Sequence, residues 1–231
     1  MNRKIYLSSP CMGTKEQSYI KEAFDTNWIA PLGKNVNDFE TAIKTYAGTK
    51  AAVATNSGTA AIHMALRAAN VGKGDIVFCQ SMTFSASANP IVYQNATPVF
   101  IDSEDETWNL SPQALERAFK KYPNAKAVIV VHLYGTPAKM DEIISICKKH
   151  NAALIEDAAE GLGGEYKGKK LGSFGDFGIF SFNGNKIITS SGGGMLVSDN
   201  AEKLKLVLKW ITQSREPFPW YQHEELGFNY R

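Results

Sequence analysis

No apolar run in this sequence approaches the roughly 20 residues needed to cross a bilayer; the longest, such as Ala127 to Val131, stop far short. The opening segment, MNRKIYLSSPCMG, carries no apolar signal core. Charge of one sign is lacking too: 25 Lys+Arg stand against 23 Asp+Glu, a formal net charge of +2. No cluster of cations forms a local basic field, so neither nucleic acid nor a membrane is an expected partner. Cysteine is sparse, with Cys11, Cys79 and Cys147 widely spaced and no CxxC pair. That pattern argues against a disulfide framework or a zinc site and predicts a reducing, cytoplasmic setting with each cysteine buried. A G-x-G-x-x-G after an early strand is missing, which argues against a dinucleotide-dependent oxidoreductase. Repeats, low-complexity tracts and Pro/Ser-rich linkers are missing as well, so no boundary is placed inside the main body of the chain.

What the 231 residues do contain is a globular balance of 44% hydrophobic and 21% charged side chains, enough for one large core. Lys15 to Asp25 and Val36 to Tyr46 read as helices, the second stopping at Gly48, and form a helical lead-in over residues 1–48. From Ala51 short apolar runs alternate with amphipathic stretches. The runs are 51–54, 76–79, 98–101, 127–131 and 153–155; the helices are 59–69, 85–93, 111–121 and 139–150. That rhythm predicts a parallel α/β sheet. After Asp157 the chain turns glycine-rich, and residues around Phe177 to Phe182 alternate in a way that suits strands joined by tight turns rather than a further crossover helix. A last helix is expected from about Ala201 to Gln213.

In open α/β sheets ligands lie beyond the carboxyl ends of the strands, so the polar residues that follow each strand are the candidates. Asn56-Ser57-Gly58-Thr59 opens a helix whose free N–H groups suit a phosphate, or is a plain cap. Gln80 to Phe84 brings an aromatic face to the same rim. Asp157 ends a strand and is followed by the small residues Ala158 and Ala159 and by Glu160. Ser181-Phe182-Asn183-Gly184-Asn185-Lys186, with Gly192 to Gly194 beyond, sets a lysine among residues that let backbone approach a ligand closely. A phosphate cradle, a stacking aromatic, an acid for a ring nitrogen and an amine for a carbonyl together make the set that pyridoxal phosphate requires. Among the histidines, His63, His150 and His223 read as structural, and His132 stands at a strand end, open to a place at the rim.

NSGTAAIHMAL (56–66), TPVFID (97–102), HLYG (132–135), IEDAAEGLGG (155–164), SFNGNK and SGGGM together make the sequence resemble the DegT/DnrJ/EryC1/StrS sugar-nucleotide aminotransferases, along essentially its whole length. The resemblance implies the three-layer α/β/α large domain of fold-type I pyridoxal phosphate enzymes, with a mostly parallel sheet and a C-terminal small domain that this chain lacks. Lys186 would then bear the covalent link to the cofactor, and Asp157 would pair with the pyridine nitrogen. Phe84 and Ala159 would sandwich the ring, while Gly58, Thr59 and Ser181 would hold the phosphate. Glu160 falls at the family position near the cofactor hydroxyl and the sugar. Asn229, in LGFNYR, matches a residue that reaches the phosphate from the second subunit, which implies a homodimer with a composite site.

NWIAPLGKNVNDFE, HLYGTPAKMDEI and FNGNKIITSSGGGML narrow the resemblance to the transaminases that make UDP-4-amino-4,6-dideoxy-N-acetylglucosamine, the bacillosamine precursor. They imply a UDP-linked 4-keto-6-deoxy-N-acetylhexosamine as acceptor and glutamate as amino donor. The alternatives are a related sugar dehydratase, disfavoured because such enzymes place His where this chain has Lys186, and a non-catalytic binding module of the same fold.

Overall fold

Helix α1 (Lys15–Asp25) and helix α2 (Lys34–Ala47) lead into strand β1 (Ala51–Thr55) in the computed structural model, which describes Lys4 and residues 9–231. The other residues of the expected lead-in, 1–3 and 5–8, lie outside the described residues. α2 ends where Gly48 takes a left-handed φ of 68° and donates back to the Lys44 and Thr45 carbonyls, the stop that glycine provides without a Cβ penalty. α1 buries none of its residues. Cys11, just before it, is exposed, unlike Cys79 and Cys147. The expectation of a buried Cys11 fails because, among the described residues, none covers this part of the lead-in.

The α/β rhythm follows as read. Strands β2 (Ile76–Gln80), β3 (Thr97–Ile101), β4 (Ala127–Val131), β5 (Ala153–Asp157), β8 (Phe177–Ser181) and β9 (Gly194–Ser198) join β1 in one sheet of order β1-β9-β8-β5-β4-β2-β3. A separate hairpin pairs β6 (Glu165–Tyr166) with β7 (Lys169–Lys170). The run β3-β2-β4-β5-β8 is parallel, and β9 alone is reversed, antiparallel to both β8 and β1. β1 therefore points the same way as the parallel strands, and its carboxyl end reaches the same rim.

Helices α3 (Gly58–Ala68), α4 (Asn89–Tyr93) and α7 (Ala201–Ile211) cover one face, burying Ala127, Ile129, Ile179 and Leu196 beneath them. Helices α5 (Pro112–Lys121) and α6 (Met140–Lys149) cover the other face over Val128 and Val130, with α2 over Met195 and Val197. Alternate residues of each strand thus serve two cores, giving the three-layer mostly parallel sheet that the sequence predicts.

Two elements differ from expectation. The helix expected over 85–93 is a 3-10 turn, Ser85–Ser87, followed by the short α4. The break turns on Pro90, which is accommodated in the first turn of a new helix and not in the interior of a longer one. β8 does not alternate in burial, since Phe177, Gly178, Ile179 and Phe180 are all buried. It is a central strand packed on both faces, and the connection from it to β9 is a loop over 182–193, not a tight turn.

Candidate active site

The rim formed by the carboxyl ends of β1, β2, β4, β5 and β8 holds two adjoining cavities, of about 340 and 740 Å³, that share Phe84, Asp157, Ala159, Glu160 and Lys186. The smaller runs back to Ser57, Gly58, Thr59 and Ser181. The larger opens toward Thr107, Trp108, Leu133 and Tyr134.

At the smaller cavity's back wall, α3 begins directly after β1. The Ser57 hydroxyl accepts from Ala60 N–H at 3.1 Å, and the Ser57 carbonyl from Ala61 N–H at 3.1 Å. A helix leaves its first N–H groups without intrahelical partners, so those of Gly58 and Thr59, both lining the cavity, are free for an anion placed at the positive end of the helix dipole. Ser57 is thus the cap, and the helix start it caps opens on the cavity. A Cβ at Gly58 would stand 3.2 Å from the Ser181 Cβ, and one at Gly194 would stand 2.4 Å from the Ser57 carbonyl oxygen. The cradle, the end of β8 and the start of β9 close on one another only because these positions lack a side chain.

Lys186 rides on the loop between β8 and β9. The loop is tied at its base by Phe182 N–H to Gly193 carbonyl at 2.9 Å, and to the cradle by Gly193 N–H to Asn56 carbonyl at 3.0 Å. Lys186 Nζ lies 3.5 Å from Glu160 Oε1, both side chains partly shielded. Glu160 Oε2 in turn accepts from Tyr134 N–H at 2.8 Å, which fixes the carboxylate against the turn after β4.

Asp157 ends β5 and is 5% exposed. Burial pushes its carboxyl above the ordinary carboxylate range, opposed by a hydrogen bond from Ser87, one from Ala159 N–H and the positive field of Lys186. The Ser87 Oγ–Asp157 Oδ2 distance is 2.6 Å, and Ala159 N lies 3.2 Å from Oδ1. Phe84, 77% exposed, projects at the mouth of both cavities from the turn after β2. Of the two small residues after Asp157 only Ala159 faces the cavities; Ala158 is buried against Leu171 and Phe180.

Asn229 does not line either cavity. It is exposed beside the cradle, where its carbonyl accepts from the Asn56 side chain at 3.5 Å. His132, which the sequence left open, is fully buried below the rim, its Nε2 3.5 Å from Glu156 Oε2 and its Nδ1 3.2 Å from Ala138 N–H. The other histidines are structural: His63 contacts the Tyr230 hydroxyl at 3.2 Å, His150 stacks on Phe119, and His223 bonds the Gln213 carbonyl at 2.9 Å. Sequence reasoning missed Ser87, whose segment reads as ordinary helix, and Asn109. The Asn109 amide donates to the Thr136 carbonyl at 2.9 Å and accepts from Leu133 N–H at 2.9 Å, bracing the larger cavity. No group of three or more metal-ligating side chains occurs among the described residues.

A donor cradle at a helix N-terminus, a buried acid, a lysine and an aromatic over one space fit a planar, phosphorylated aldehyde with a basic ring nitrogen. The residues present match pyridoxal phosphate on that ground. The DegT/DnrJ/EryC1/StrS aminotransferase family matches residues 10–231. EpsN of Bacillus subtilis, to which a pyridoxal phosphate-dependent aminotransferase activity is ascribed, is 59% identical over 235 residues, covering 100% of this chain and 61% of its own length. GDP-perosamine synthase of Caulobacter vibrioides is 43% identical over 231 residues, covering 99% of this chain and 61% of its own. Spr1654 of Streptococcus pneumoniae, to which a sugar aminotransferase role is ascribed, has been solved in PLP and PMP forms. Both are 27% identical and superpose with TM-scores of 0.90 and 0.91, over 98% of this chain and 62% of theirs. The chain spans about three-fifths of the length of the curated relatives it matches.

Proposed function

The chain belongs to the DegT/DnrJ/EryC1/StrS aminotransferase family, whose cofactor is pyridoxal phosphate, and from that premise we propose that it is the cofactor-binding large domain of a nucleotide-sugar aminotransferase. One observation carries the reading: Lys186, Asp157 and the N–H groups of Gly58 and Thr59 face the same space from three separate elements, the loop after β8, the end of β5 and the start of α3.

Pyridoxal phosphate, when bound, supplies an electron sink for the pair left behind when a substrate carbon loses its proton. The chain's own residues do the rest. Gly58 and Thr59 N–H groups and the Ser181 hydroxyl would bind the phosphate, while Phe84 and Ala159 would flank the ring and exclude water from it. Asp157, kept as a carboxylate, balances positive charge at the ring nitrogen. Lys186 Nζ would hold the cofactor and is the amine that would carry a proton to and from the reacting carbon. Glu160 sits where it can meet the ring hydroxyl and the sugar. Asn229, exposed beside the cradle and outside its own cavity, would serve the phosphate of a second copy.

The acceptor is a UDP-linked 4-keto-6-deoxy-N-acetylhexosamine and the donor glutamate, in the making of a bacterial surface glycan. The support is the sequence resemblance to transaminases of the bacillosamine precursor, and the likeness to a GDP-perosamine synthase, itself named for a nucleotide-linked amino sugar. The test is incubation of the protein with pyridoxal phosphate, glutamate and UDP-4-keto-6-deoxy-N-acetylglucosamine, followed by mass spectrometry. The 4-amino sugar nucleotide with equimolar 2-oxoglutarate is expected. Amination of a GDP-linked keto sugar in its place would reassign the nucleotide.

A further inference from the structure

The hydroxyl on Asp157 belongs to a longer arrangement. Ser87 Oγ, on a residue with no exposed surface, donates to Asp157 Oδ2 at 2.6 Å, and Thr83 Oγ1 lies 2.7 Å from the same Ser87 oxygen. The direction of the chain follows from the chemistry. An ionised carboxylate only accepts, so the single Ser87 hydrogen is committed to Asp157, and Ser87 must accept from Thr83. Each bond in such a line polarises the next.

The chain backbone adds a second feature. Thr83 and Ser87 bracket Phe84, and Ser87 N–H returns to the Phe84 carbonyl at 3.1 Å. One turn therefore sets the aromatic at the cavity mouth and the hydroxyl pair on the buried acid. Its two outputs are fixed relative to each other by a single hydrogen-bonded loop.

We propose that Ser87, oriented by Thr83, is the positioning residue that keeps Asp157 ionised and aimed at the cofactor's ring nitrogen. The inference rests on the cofactor reading above. Asp157 faces Lys186 from the loop after β8, His132 from the end of β4 and the Cys79 thiol from β2. Cys79 is itself held in its neutral form, pushed up to about 12 by burial and then by Asp157. A buried carboxyl drifts toward protonation unless donors stabilise its charge. A protonated Asp157 could not balance a pyridinium.

The apo protein provides the first readout, the pH titration of the Asp157 carboxyl carbon by ¹³C NMR. Ser87→Ala should raise its midpoint by about one pH unit, a tenfold change in proton affinity. Ser87→Thr, which keeps the hydroxyl, should stay near wild type. Thr83→Val should shift it in the same direction by less, and it carries the test should Ser87→Ala not fold. The second readout is pyridoxal phosphate affinity against pH, whose acid-side loss should move up by the same interval in Ser87→Ala. An unmoved carboxyl midpoint, or a loss of affinity uniform across pH, would overturn the proposal. A carboxyl shift in Ser87→Ala alongside a wild-type chain that binds no pyridoxal phosphate would instead overturn the cofactor reading, and the role assigned to the relay with it.

Discussion

Asp157 is where function and stability oppose each other. Its folded pKa is raised by burial, so the folded state binds the proton more tightly than the unfolded chain, and this group's contribution to stability falls as pH rises through the interval above 3.8. Asp157→Asn removes that buried charge. The apo chain should gain about 1 kcal/mol toward urea at neutral pH, while pyridoxal phosphate binding weakens on the order of tenfold or more. Equal cofactor affinity in the variant would show that the acid is misassigned. His63 behaves in the opposite sense. Burial, then Arg67, lowers it to about 4 from 6.5, so its stabilising contribution is complete above 6.5 and is lost as pH falls toward 4. The wild type should lose about 1–2 kcal/mol through this group between pH 7 and 5. Urea midpoints of His63→Gln at the two pH values should differ correspondingly less.

Elements with a strong period or a clear cap were legible in the sequence. α1, α5 and α6 fall within one residue of their expected bounds, and Ser111 caps α5 through Ala114 N–H as its position before Pro112 implies. The rim residues were legible for a related reason: a parallel sheet puts ligands at its carboxyl ends, so listing polar residues after strands already named Gly58, Asp157 and Lys186. What was illegible depends on contacts between elements distant in sequence. The reversal of β9, the double-sided burial of β8 and the Ser87–Asp157 bond, which joins residues 70 apart, leave no local pattern. Gly194 belongs to the same class, since its reason for being glycine is the Ser57 carbonyl across the sheet. Gly194→Ala should part β9 from the first turn of α3, costing about 1–3 kcal/mol in chemical denaturation and loosening phosphate binding. Unchanged stability would mean that the two segments are not held as close as described.

At the scale of the whole molecule the lead-in is the least self-sufficient part. Tyr19, Ile20, Phe24, Trp28, Ile29 and Leu32 are all exposed along α1 and the segment after it, a concentration of apolar side chains of the kind found at interaction surfaces. Asn229 lies outside both cavities and, on the proposed reading, would serve the phosphate of a second copy. If the site is composite, Lys186→Ala and Asn229→Ala chains, each binding pyridoxal phosphate poorly alone, should recover tight sites when unfolded and refolded together. The mixed dimer then unites the intact lysine of one chain with the intact asparagine of the other. No recovery would place Asn229 outside the site.

The central claim is that Lys186 is the residue to which pyridoxal phosphate is joined. The most direct measurement is borohydride reduction of the protein with pyridoxal phosphate, followed by peptide mapping of wild type and Lys186→Ala. Wild type should absorb in the visible and yield a single reduced adduct on Lys186; the variant should fold, as judged by circular dichroism, and yield none. An adduct on another lysine, or one retained in Lys186→Ala, would contradict the account.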